Sequence, residues 1–342
     1  MSTEDFTLSF PEDEKVLVTG GSGFVGSHTA VRLLREGHRV RVAVRGPAQE
    51  AQVLAALQQA GVDPADLLEF AAADLSADDG WAQAMDGIAH VLHHASPFPP
   101  TPPETEDEVV LPARDGALRV IAAARSAGIP RVVMTSSFAA VGYTLTPDNH
   151  YTEANWTDPD TPGLPAYHKS KVLAEAAAWD YVRANGGIEL AVVNPTGIFG
   201  PQLVDRPSGS IGLIKALMAG EMSVVPVWNF GVVDVRDVVD LHLRAMLHPK
   251  AGASGSLPTA DRRACSSSRI SFASTSPPRP TGCPPRNWPS SRYARRRRPS
   301  QLCGTPPFWR AGSPTSATRR PAPSSAGSPW TSATPSWQPL RA

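Results

Sequence analysis

Cysteine is missing from the first 250 residues of this 342-residue chain, and all three cysteines (Cys265, Cys283 and Cys303) follow Lys250. The body therefore has no thiols to pair and suits a reducing compartment, so we expect a cytoplasmic protein. The first 14 residues are acidic and lack the basic-then-apolar pattern of a secretory signal. No apolar run approaches the roughly 20 residues that cross a membrane, so we expect no membrane partner.

Clusters of metal ligands are also missing. His93 and His94 are adjacent in an extended segment, so their side chains should face opposite ways, and no carboxylate or cysteine joins them at ligand spacing. We therefore predict no metal and expect these histidines in the core or lining a cleft. His168 has no assigned chemical role, and we expect it on a helix surface.

The sequence from Lys15 to about Pro249 does contain a regular alternation of short β-branched segments and longer helical ones. The strand candidates are Lys15–Val18, Arg39–Val44, Leu68–Ala73, His90–Ala95, Arg131–Thr135 and Leu190–Val193. The helical stretches include Val25–Leu34, Ala48–Ala60, Ala113–Ala127 and Pro165–Asn185. This alternation predicts a doubly wound parallel α/β sheet of the Rossmann type, with ligands at the carboxyl ends of its strands.

A glycine-rich loop, Val18-Thr19-Gly20-Gly21-Ser22-Gly23-Phe24-Val25-Gly26, joins the first strand to the first helix. Gly20, Gly23 and Gly26 leave room for a tight turn, for close approach of a ligand and for helix-on-strand packing. The positive end of the helix dipole and its unpaired N–H groups favour an anion. An ordinary turn would also contain such glycines, but the strand before and helix after the loop favour a dinucleotide site.

Tyr167 and Lys171 lie four residues apart in a helical stretch, so they share one face. A neighbouring ammonium favours the phenolate, and we expect it to lower the tyrosine pKa and so enable proton exchange with a carbonyl or alcohol oxygen. Ser136 and Ser137 follow a strand whose end should face the same cleft. Tyr-x-x-x-Lys alone is common on helix surfaces; its combination with the glycine loop and the strand-end serines favours catalysis.

Taken together, these motifs resemble the extended short-chain dehydrogenases/reductases, and more narrowly the dihydroflavonol reductase, cinnamoyl-CoA reductase and bacterial aldehyde reductase branch. The resemblance covers residues 13 to about 250. It is carried by these stretches: Thr19–His28, Arg41–Arg45, Ala73-Asp74-Leu75, His93–Pro97, Thr135-Ser136-Ser137, Tyr167–Lys171, Asn194-Pro195-Thr196 and Val233–Asp237.

The resemblance implies roles for individual residues. Tyr167 would be the general acid, and Lys171 a ribose ligand that also modifies the pKa of the tyrosine. Ser137 would be the donor that polarises the reacting oxygen, with Ser136 as the alternative. Asp74 would meet the adenine amino group, although a helix cap would explain it as well. The cofactor-binding set is Gly20, Gly23, Phe24, Val25, Gly26, Arg45, Asp74, Leu75, Ala95, Ser96, Tyr167, Lys171, Pro195 and Thr196.

The end of the second strand bears on the choice of cofactor. NAD enzymes carry an acid there for the ribose 2′-hydroxyl, whereas this chain has Arg45, whose guanidinium suits a 2′-phosphate. We therefore favour NADPH over NADH. An ordinary surface arginine is the alternative interpretation, and the second basic residue expected a few positions later is Gln52 instead.

The leading functional hypothesis is NADPH-dependent reduction of an aldehyde or ketone. Pro97–Pro103, Phe138–Tyr143 and Ile198–Pro207 would wall the pocket, and their Phe98, Phe138, Tyr143 and Phe199 indicate an apolar or aromatic substrate. By analogy with the family, a homodimer would pair through the Tyr167 helix and its neighbour. A nucleotide-sugar epimerase or dehydratase using bound NAD is the enzymatic rival, although Asn229–Val232 lacks its phosphate-binding arginine. A non-catalytic NAD(P) sensor is the third hypothesis.

Composition changes at Lys250, so we divide the chain into an N-terminal extension (1–12), a dinucleotide-binding domain with part of a substrate lobe (13–250) and a tail (251–342). Residues 1–250 carry 18 basic and 31 acidic residues, whereas the tail has 14 Arg, no Lys, one acid, 16 Pro, 18 Ser and only six Leu, Ile, Val or Phe. Such a composition predicts disorder.

At face value, Arg295–Arg298 would make the tail a nucleic-acid or localisation segment. Four of the eight tryptophans also fall in the tail, which is unusual for a solvated linker. A shifted reading frame offers another explanation: Gly252–Ser256 can then encode Gly-Glu-Arg-Phe, and Ala326–Ser336 a Gly-Trp-x-Pro-Val-Asp-Val-Gly-Asp-Ala-Val segment, both like the closing segments of the family. On that hypothesis the substrate lobe is incomplete, the basic run is accidental and no nucleic-acid partner is expected.

Overall fold

The structure is a computed structural model that describes residues 10–251, except 12, 98–102, 147–150, 153, 206–207, 223–229 and 250, together with the backbone of 257–258. The rest of the predicted tail and the first nine residues lie outside the described residues. The strands are β1 (Lys15–Thr19), β2 (Arg39–Val44), β3 (Leu68–Ala72), β4 (His90–His93), β5 (Arg131–Thr135), β6 (Glu189–Asn194), β7 (Gly197–Phe199), β8 (Val232–Asp234) and β9 (Leu257–Pro258). The helices are α1 (Phe24–Arg35), α2 (Pro47–Gln59), α3 (Trp81–Met85), α4 (Asp107–Ser126), α5 (Ala166–Asn185), α6 (Gly209–Met218) and α7 (Val235–Leu247), with a short 3-10 helix at Phe138–Ala140.

The main sheet is parallel, with strand order β3-β2-β1-β4-β5-β6-β9. Val18 of β1 pairs with Val42 of β2 on one side and with Leu92 of β4 on the other. The strand order reverses between β1 and β4, which creates the crevice where open α/β sheets bind ligands. The predicted Rossmann-type fold is confirmed.

Alternate residues of the strands enter two separate apolar cores, one on each face of the sheet. Val16 and Val18 pack with α1, α2 and α7, whereas Leu17 between them packs with α3 and α4 on the other face. Because successive strand residues point to opposite faces, a strand apolar throughout is the expected sequence for a sheet covered on both sides. The sheet is therefore doubly wound, as predicted.

Arg41 and Arg45 flank the same apolar segment of β2 but have different environments. Arg41 is buried, pairs with Glu69 at 2.9 Å and donates to the carbonyl oxygens of Gln83, Ala84 and Asp86 at the end of α3. The last carbonyl oxygens of a helix have few partners within it, so Arg41 acts as a structural cap. Arg45 is exposed at the carboxyl end of the strand and is available to a ligand.

Helix α4 begins at Asp107, six residues before the predicted start at Ala113. Pro112 lies inside the helix, where proline usually ends one, and this explains the late prediction. Asp107 and Glu108 in the first turn favour the helix because they complement its dipole. Val109 and Val110 are buried and anchor this extra turn.

After β6 the chain forms a second, two-stranded parallel sheet from β7 and β8, with Gly197 paired to Val232 and Phe199 to Asp234. Helix α6 lies between these two strands in sequence, and none of its residues is buried although most are apolar. In the part of the chain that the structure describes, no helix is both long and apolar enough to cross a membrane.

Candidate active site

The glycine loop closes tightly on itself between β1 and α1. The amide of Gly23 donates to the carbonyl oxygen of Gly20 at 2.8 Å. Gly20 has a φ of +70°, and a Cβ there would lie 2.8 Å from the amide nitrogen of Ala95. A Cβ on Gly26 would lie 2.2 Å from the Gly20 carbonyl oxygen. Glycine is therefore required at both positions, because any larger residue would push the loop away from α1 and the end of β4.

The N-terminus of α1 points out of this loop without a side-chain cap. Gly23 is the N-cap residue and is exposed, no side chain caps it, and the first turn contains no acid. Phe24 is buried and Val25 is partly buried, which fixes the first turn on the protein. Uncapped N–H groups at the positive end of a helix dipole bind an anion, so the predicted residues fit a pyrophosphate.

Arg45 and Asp74 lie at the carboxyl ends of β2 and β3. The Asp74 carboxylate accepts two hydrogen bonds from Ser76 through Oδ1, from the amide at 2.8 Å and from the hydroxyl at 2.8 Å. The hydrogen bond from the Ser76 amide is the main cause of the lowered pKa of Asp74, and the charge of Arg45 contributes. Asp74 therefore closes a local turn. It does not cap a helix, because the next helix, α3, has Gly80 as its N-cap residue. Leu75 follows, and its carbonyl oxygen accepts from Arg119.

The end of β4 carries Ala95 and Ser96 beside the glycine loop. The Ala95 amide donates to Thr19 Oγ1 at 3.1 Å, and His93 Nδ1 lies 2.8 Å from the same oxygen. His94 faces the other side of the sheet, where its nitrogens lie 3.1 Å from Thr29 Oγ1 and 2.7 Å from Thr135 Oγ1. The opposite orientation of the two histidines is as predicted. Among the described residues, no group of three or more His, Cys, Asp or Glu side chains could hold a metal.

Ser137, Tyr167 and Lys171 come together where β5 ends and α5 begins. Lys171 Nζ lies 5.6 Å from the centre of the Tyr167 ring. The Ser137 hydroxyl is hydrogen-bonded to the Tyr167 phenol. The Ser137 amide donates to Asn194 Oδ1 at 3.1 Å, and its Oγ accepts from the Ala139 amide at 3.1 Å. The serine is thus held from β6 and from the 3-10 helix while it faces the tyrosine.

The pKa of Tyr167 is raised, contrary to the lowering expected from the nearby lysine. Burial of the phenol is the main cause; the Ser137 hydrogen bond opposes it and the charge of Tyr143 adds to it. Burial also lowers the pKa of Lys171 to about 8, against the opposing effect of Glu175. Spacing on a helix predicts proximity but not desolvation, which dominates here. A tyrosine with a raised pKa is protonated at neutral pH, as a general acid must be.

Three further sequence predictions differ in outcome. His168 is buried, with its ring centre 4.2 Å from that of Tyr143 and 5.7 Å from that of Tyr167, so the predicted surface position is wrong. Burial lowers its pKa to about 4.

The carbonyl oxygen of Pro195 accepts a hydrogen bond from the Phe138 amide at 2.9 Å, and Thr196 follows beside β7. Phe98 of the predicted pocket wall lies outside the described residues.

Sequence reasoning missed Glu175 and gave Asn194 no role of its own. Glu175 is fully buried one helical turn after Lys171, and Asn194 ends β6. Their side chains meet, with Asn194 Nδ2 3.4 Å from Glu175 Oε1. The sequence did contain a signal for Glu175: it lies on the same face of α5 as Lys171 and the buried Ala178. A helix face that only packs on the core would be apolar at this position.

Fold and site together define a class: a Rossmann-type oxidoreductase with a dinucleotide loop at the switch point of the sheet and a Ser-Tyr-Lys group beside it. A family model described as the NAD dependent epimerase/dehydratase family matches residues 16–257. The chain belongs to this family, and its relatives identify it as an NAD(P)-dependent oxidoreductase of the dihydroflavonol reductase and cinnamoyl-CoA reductase branch.

Among these relatives, tetraketide alpha-pyrone reductase 2 of Arabidopsis thaliana is 33% identical over 242 residues, which cover 69% of this chain and 74% of the relative. Cinnamoyl-CoA reductase CAD2 of Medicago truncatula is 35% identical over 246 residues, covering 70% and 74%. The solved structure of yeast methylglyoxal/isovaleraldehyde reductase Gre2 complexed with NADPH aligns with a TM-score of 0.62 at 27% identity, covering 71% of this chain and 77% of that one.

The buried histidines predict instability in mild acid. His242 is fully buried, and its Nδ1 lies 2.7 Å from the Val238 carbonyl oxygen and its Nε2 2.7 Å from Thr135 Oγ1. Burial lowers its pKa to about 4. The unfolded chain then binds the proton more tightly, so stability present above pH ~6.5 is lost as the pH falls towards 4, by about 3 kcal/mol for this group.

Thermal midpoints measured between pH 7.5 and 4.5 test this prediction. We expect a steep fall for the wild type and a shallower one for His242→Asn, which lacks the titrating group. His248→Asn at the exposed end of the same helix is the matched control and should follow the wild type. Equal pH slopes for His242→Asn and the wild type would contradict the prediction.

Proposed function

We propose that this protein reduces the carbonyl group of an aldehyde or ketone at the expense of NADPH. The observation that carries the proposal is the contact of the partly buried Tyr167 with Ser137, next to Lys171. NADPH, when bound, supplies a hydride to the carbonyl carbon. Tyr167 donates its phenolic proton to the carbonyl oxygen, so that hydride and proton together convert the carbonyl to an alcohol.

The other residues of the site prepare this proton transfer. The Ser137 hydroxyl donates a hydrogen bond to the carbonyl oxygen as negative charge develops there, held in place by Asn194 and the 3-10 helix. Lys171 binds the ribose hydroxyls and stabilises the phenolate that Tyr167 leaves behind. Gly20, Gly23 and Gly26 let the pyrophosphate reach the α1 N-terminus. Ala95, Ser96, Pro195 and Thr196 line the rest of the cofactor site in this proposal, with Asp74 and Leu75 at its adenine end.

We assign the preference for NADPH over NADH to Arg45, which is exposed at the carboxyl end of β2, where we propose that the 2′-phosphate binds. Replacing it in Arg45→Ala should weaken NADPH binding roughly ten- to a hundredfold, the value of one or two hydrogen bonds to a charged group, and leave NADH binding unchanged. Fluorescence titration with both cofactors measures this. Arg183→Ala, an exposed change at the end of α5, is the control. An equal effect on both cofactors, or none, would contradict the assignment.

We further propose an apolar or aromatic substrate, because several aromatic rings lie close together in these segments. The ring centres of Phe138 and Tyr143 are 6.4 Å apart, and those of Phe199 and Phe230 are 6.3 Å apart. A homodimer through α4 and α5 remains part of the proposal by analogy with the family.

For the tail, residues 251–342, we propose a shifted reading frame. Two observations support it: the family match stops at residue 257 of 342, and the apolar helix α6 has no buried residue, as expected if a covering segment of the substrate lobe is not encoded. Sequencing the gene tests this. A one-base insertion or deletion near codon 252, relative to related genomes, is expected; an uninterrupted match of the related genes to the present tail would contradict it.

Incubation of the protein with NADPH and a panel of aromatic and aliphatic aldehydes and ketones tests the function. Loss of NADPH absorbance with formation of alcohol is expected. Measurable NADPH binding without turnover of any carbonyl would favour a sensor instead, and conversion of a nucleotide sugar without net NADPH use would favour an epimerase.

A further inference from the structure

A small cavity lies on the α4 and α5 side of the sheet, where β4 and β5 end. Its volume is about 20 Å³, which exceeds the roughly 10–15 Å³ that one water needs. Six of the residues that line it have polar side chains: His93, Ser96, Thr135, Ser136, Lys171 and Glu175. Such a lining offers a water several hydrogen-bonding partners, so the cavity can hold one ordered water.

Glu175 is the unexplained member of this set, since a fully buried carboxylate is costly unless its oxygens are satisfied. Its Oε1 accepts from the indole N–H of Trp179 at 3.3 Å and from Asn194 Nδ2 at 3.4 Å. Burial raises the pKa of Glu175, whereas the Trp179 and Asn194 donors, the neighbouring Ser136 hydroxyl and the charge of Lys171 oppose this rise and favour the ionised carboxylate. Among the described residues, Glu175 Oε2 and Ser136 Oγ are buried without a hydrogen bond of standard geometry. Both belong to residues that line the cavity, where a water would satisfy them.

Lys171 has few other charges around it. The titratable groups that face it among the described residues are Tyr167 and Glu175 of α5 and His93 of β4. Burial lowers the pKa of His93 to about 3, so this ring is neutral. From α4, the cavity is lined by Ala113 and Ala117, which carry no charge. Glu175 is therefore the anion in the surroundings of Lys171.

We propose that Glu175 is a positioning residue for Lys171: its carboxylate, one cavity water and the Ser136 hydroxyl hold the ammonium beside Tyr167 and keep it charged. The proposal deepens the proposed function, on which the role of Lys171 rests. It also gives Ser136 a role distinct from that of Ser137. Burial opposes the charge of Lys171, and a buried carboxylate one turn away offsets part of that cost.

The test compares wild type with Glu175→Gln, which keeps the shape and removes the charge, and with Glu175→Asp as the conservative variant. Two quantities are measured from pH 6 to 10: the affinity for NADPH, by fluorescence, and kcat/KM for the reduction of a carbonyl substrate. In Glu175→Gln we expect the alkaline loss of both to move to lower pH by about one unit or more, because Lys171 loses its proton more readily. Glu175→Asp should restore part of the shift. Glu189→Gln, an exposed carboxylate on β6, is the control.

The inference would be overturned if a folded Glu175→Gln variant lost NADPH affinity and kcat/KM at the same alkaline pH as the wild type. If that variant does not fold, Ser136→Ala replaces it: a smaller shift in the same direction is expected, and its absence counts against the proposal. The two proposals fail separately. Wild type that binds NADPH but reduces no carbonyl contradicts the function, while the pH dependence of NADPH affinity still reports on Glu175.

Discussion

The Tyr167→Phe variant should bind NADPH as the wild type does and reduce carbonyl substrates about 10²- to 10⁴-fold more slowly in kcat/KM. The change removes only the phenolic oxygen, which holds the proton that the carbonyl oxygen must receive. The ring stays packed against His168, 5.7 Å away between centres, so the helix end should keep its structure. Stopped-flow or steady-state loss of NADPH absorbance gives the rate, and fluorescence titration gives the affinity.

Tyr181→Phe is the matched control, because it makes the same chemical change on the same helix. Tyr181 packs against the core near the C-terminal end of α5, whereas Tyr167 lies at its N-terminal end. We expect it to retain wild-type rates. Wild-type turnover by Tyr167→Phe would remove the tyrosine from the mechanism. Loss of NADPH binding together with turnover would assign Tyr167 a binding role instead of proton donation.

The Gly26→Ala variant should bind NADPH roughly a hundredfold more weakly than the wild type. The added Cβ would lie 2.2 Å from the Gly20 carbonyl oxygen and 2.9 Å from the Gly21 Cα, both backbone atoms of the loop. Backbone cannot give way as a flexible side chain can, so the loop must move away from the α1 N-terminus. A cost of about 3 kcal/mol, the upper part of the usual range for overpacking, corresponds to a roughly hundredfold weaker Kd for NADPH.

Calorimetric titration with NADPH measures this effect, and circular dichroism reports whether the fold is kept. Gly212→Ala is the control: it lies in α6, and an added Cβ there meets nothing within 4 Å. Its NADPH affinity should equal that of the wild type. A folded Gly26→Ala protein with unchanged affinity would exclude this loop as the pyrophosphate site.

The arrangement of the sheet could be predicted because its causes are local. Apolar runs such as Val16–Val18 must be buried on both faces, and helices between them require parallel strands. The predicted bounds of β2, β5 and α5 agree with the structure to within a residue. The start of α4 could not be predicted from local rules, since burial of Val109 and Val110 outweighs the local effect of Pro112.

Some features of the site could likewise be predicted from local sequence, and others could not. The glycine loop and the Tyr167–Lys171 spacing are local patterns, and the structure brings both to the carboxyl ends of the strands. The buried position of His168, the raised pKa of Tyr167 and the contact of Glu175 with Asn194 depend on which elements pack over α5. Sequence spacing contains no measure of desolvation, so these three features required the tertiary structure.

Transfer of isotopic label tests the central claim most directly. NADPH carrying deuterium at its transferable C4 position is incubated with the wild-type protein and a carbonyl substrate from the reactive panel, and the product is analysed by mass spectrometry. We predict an alcohol with one deuterium on the former carbonyl carbon and a matching amount of NADP⁺. An unlabelled product, or NADPH that keeps its deuterium while the substrate is consumed, would contradict hydride transfer by this protein.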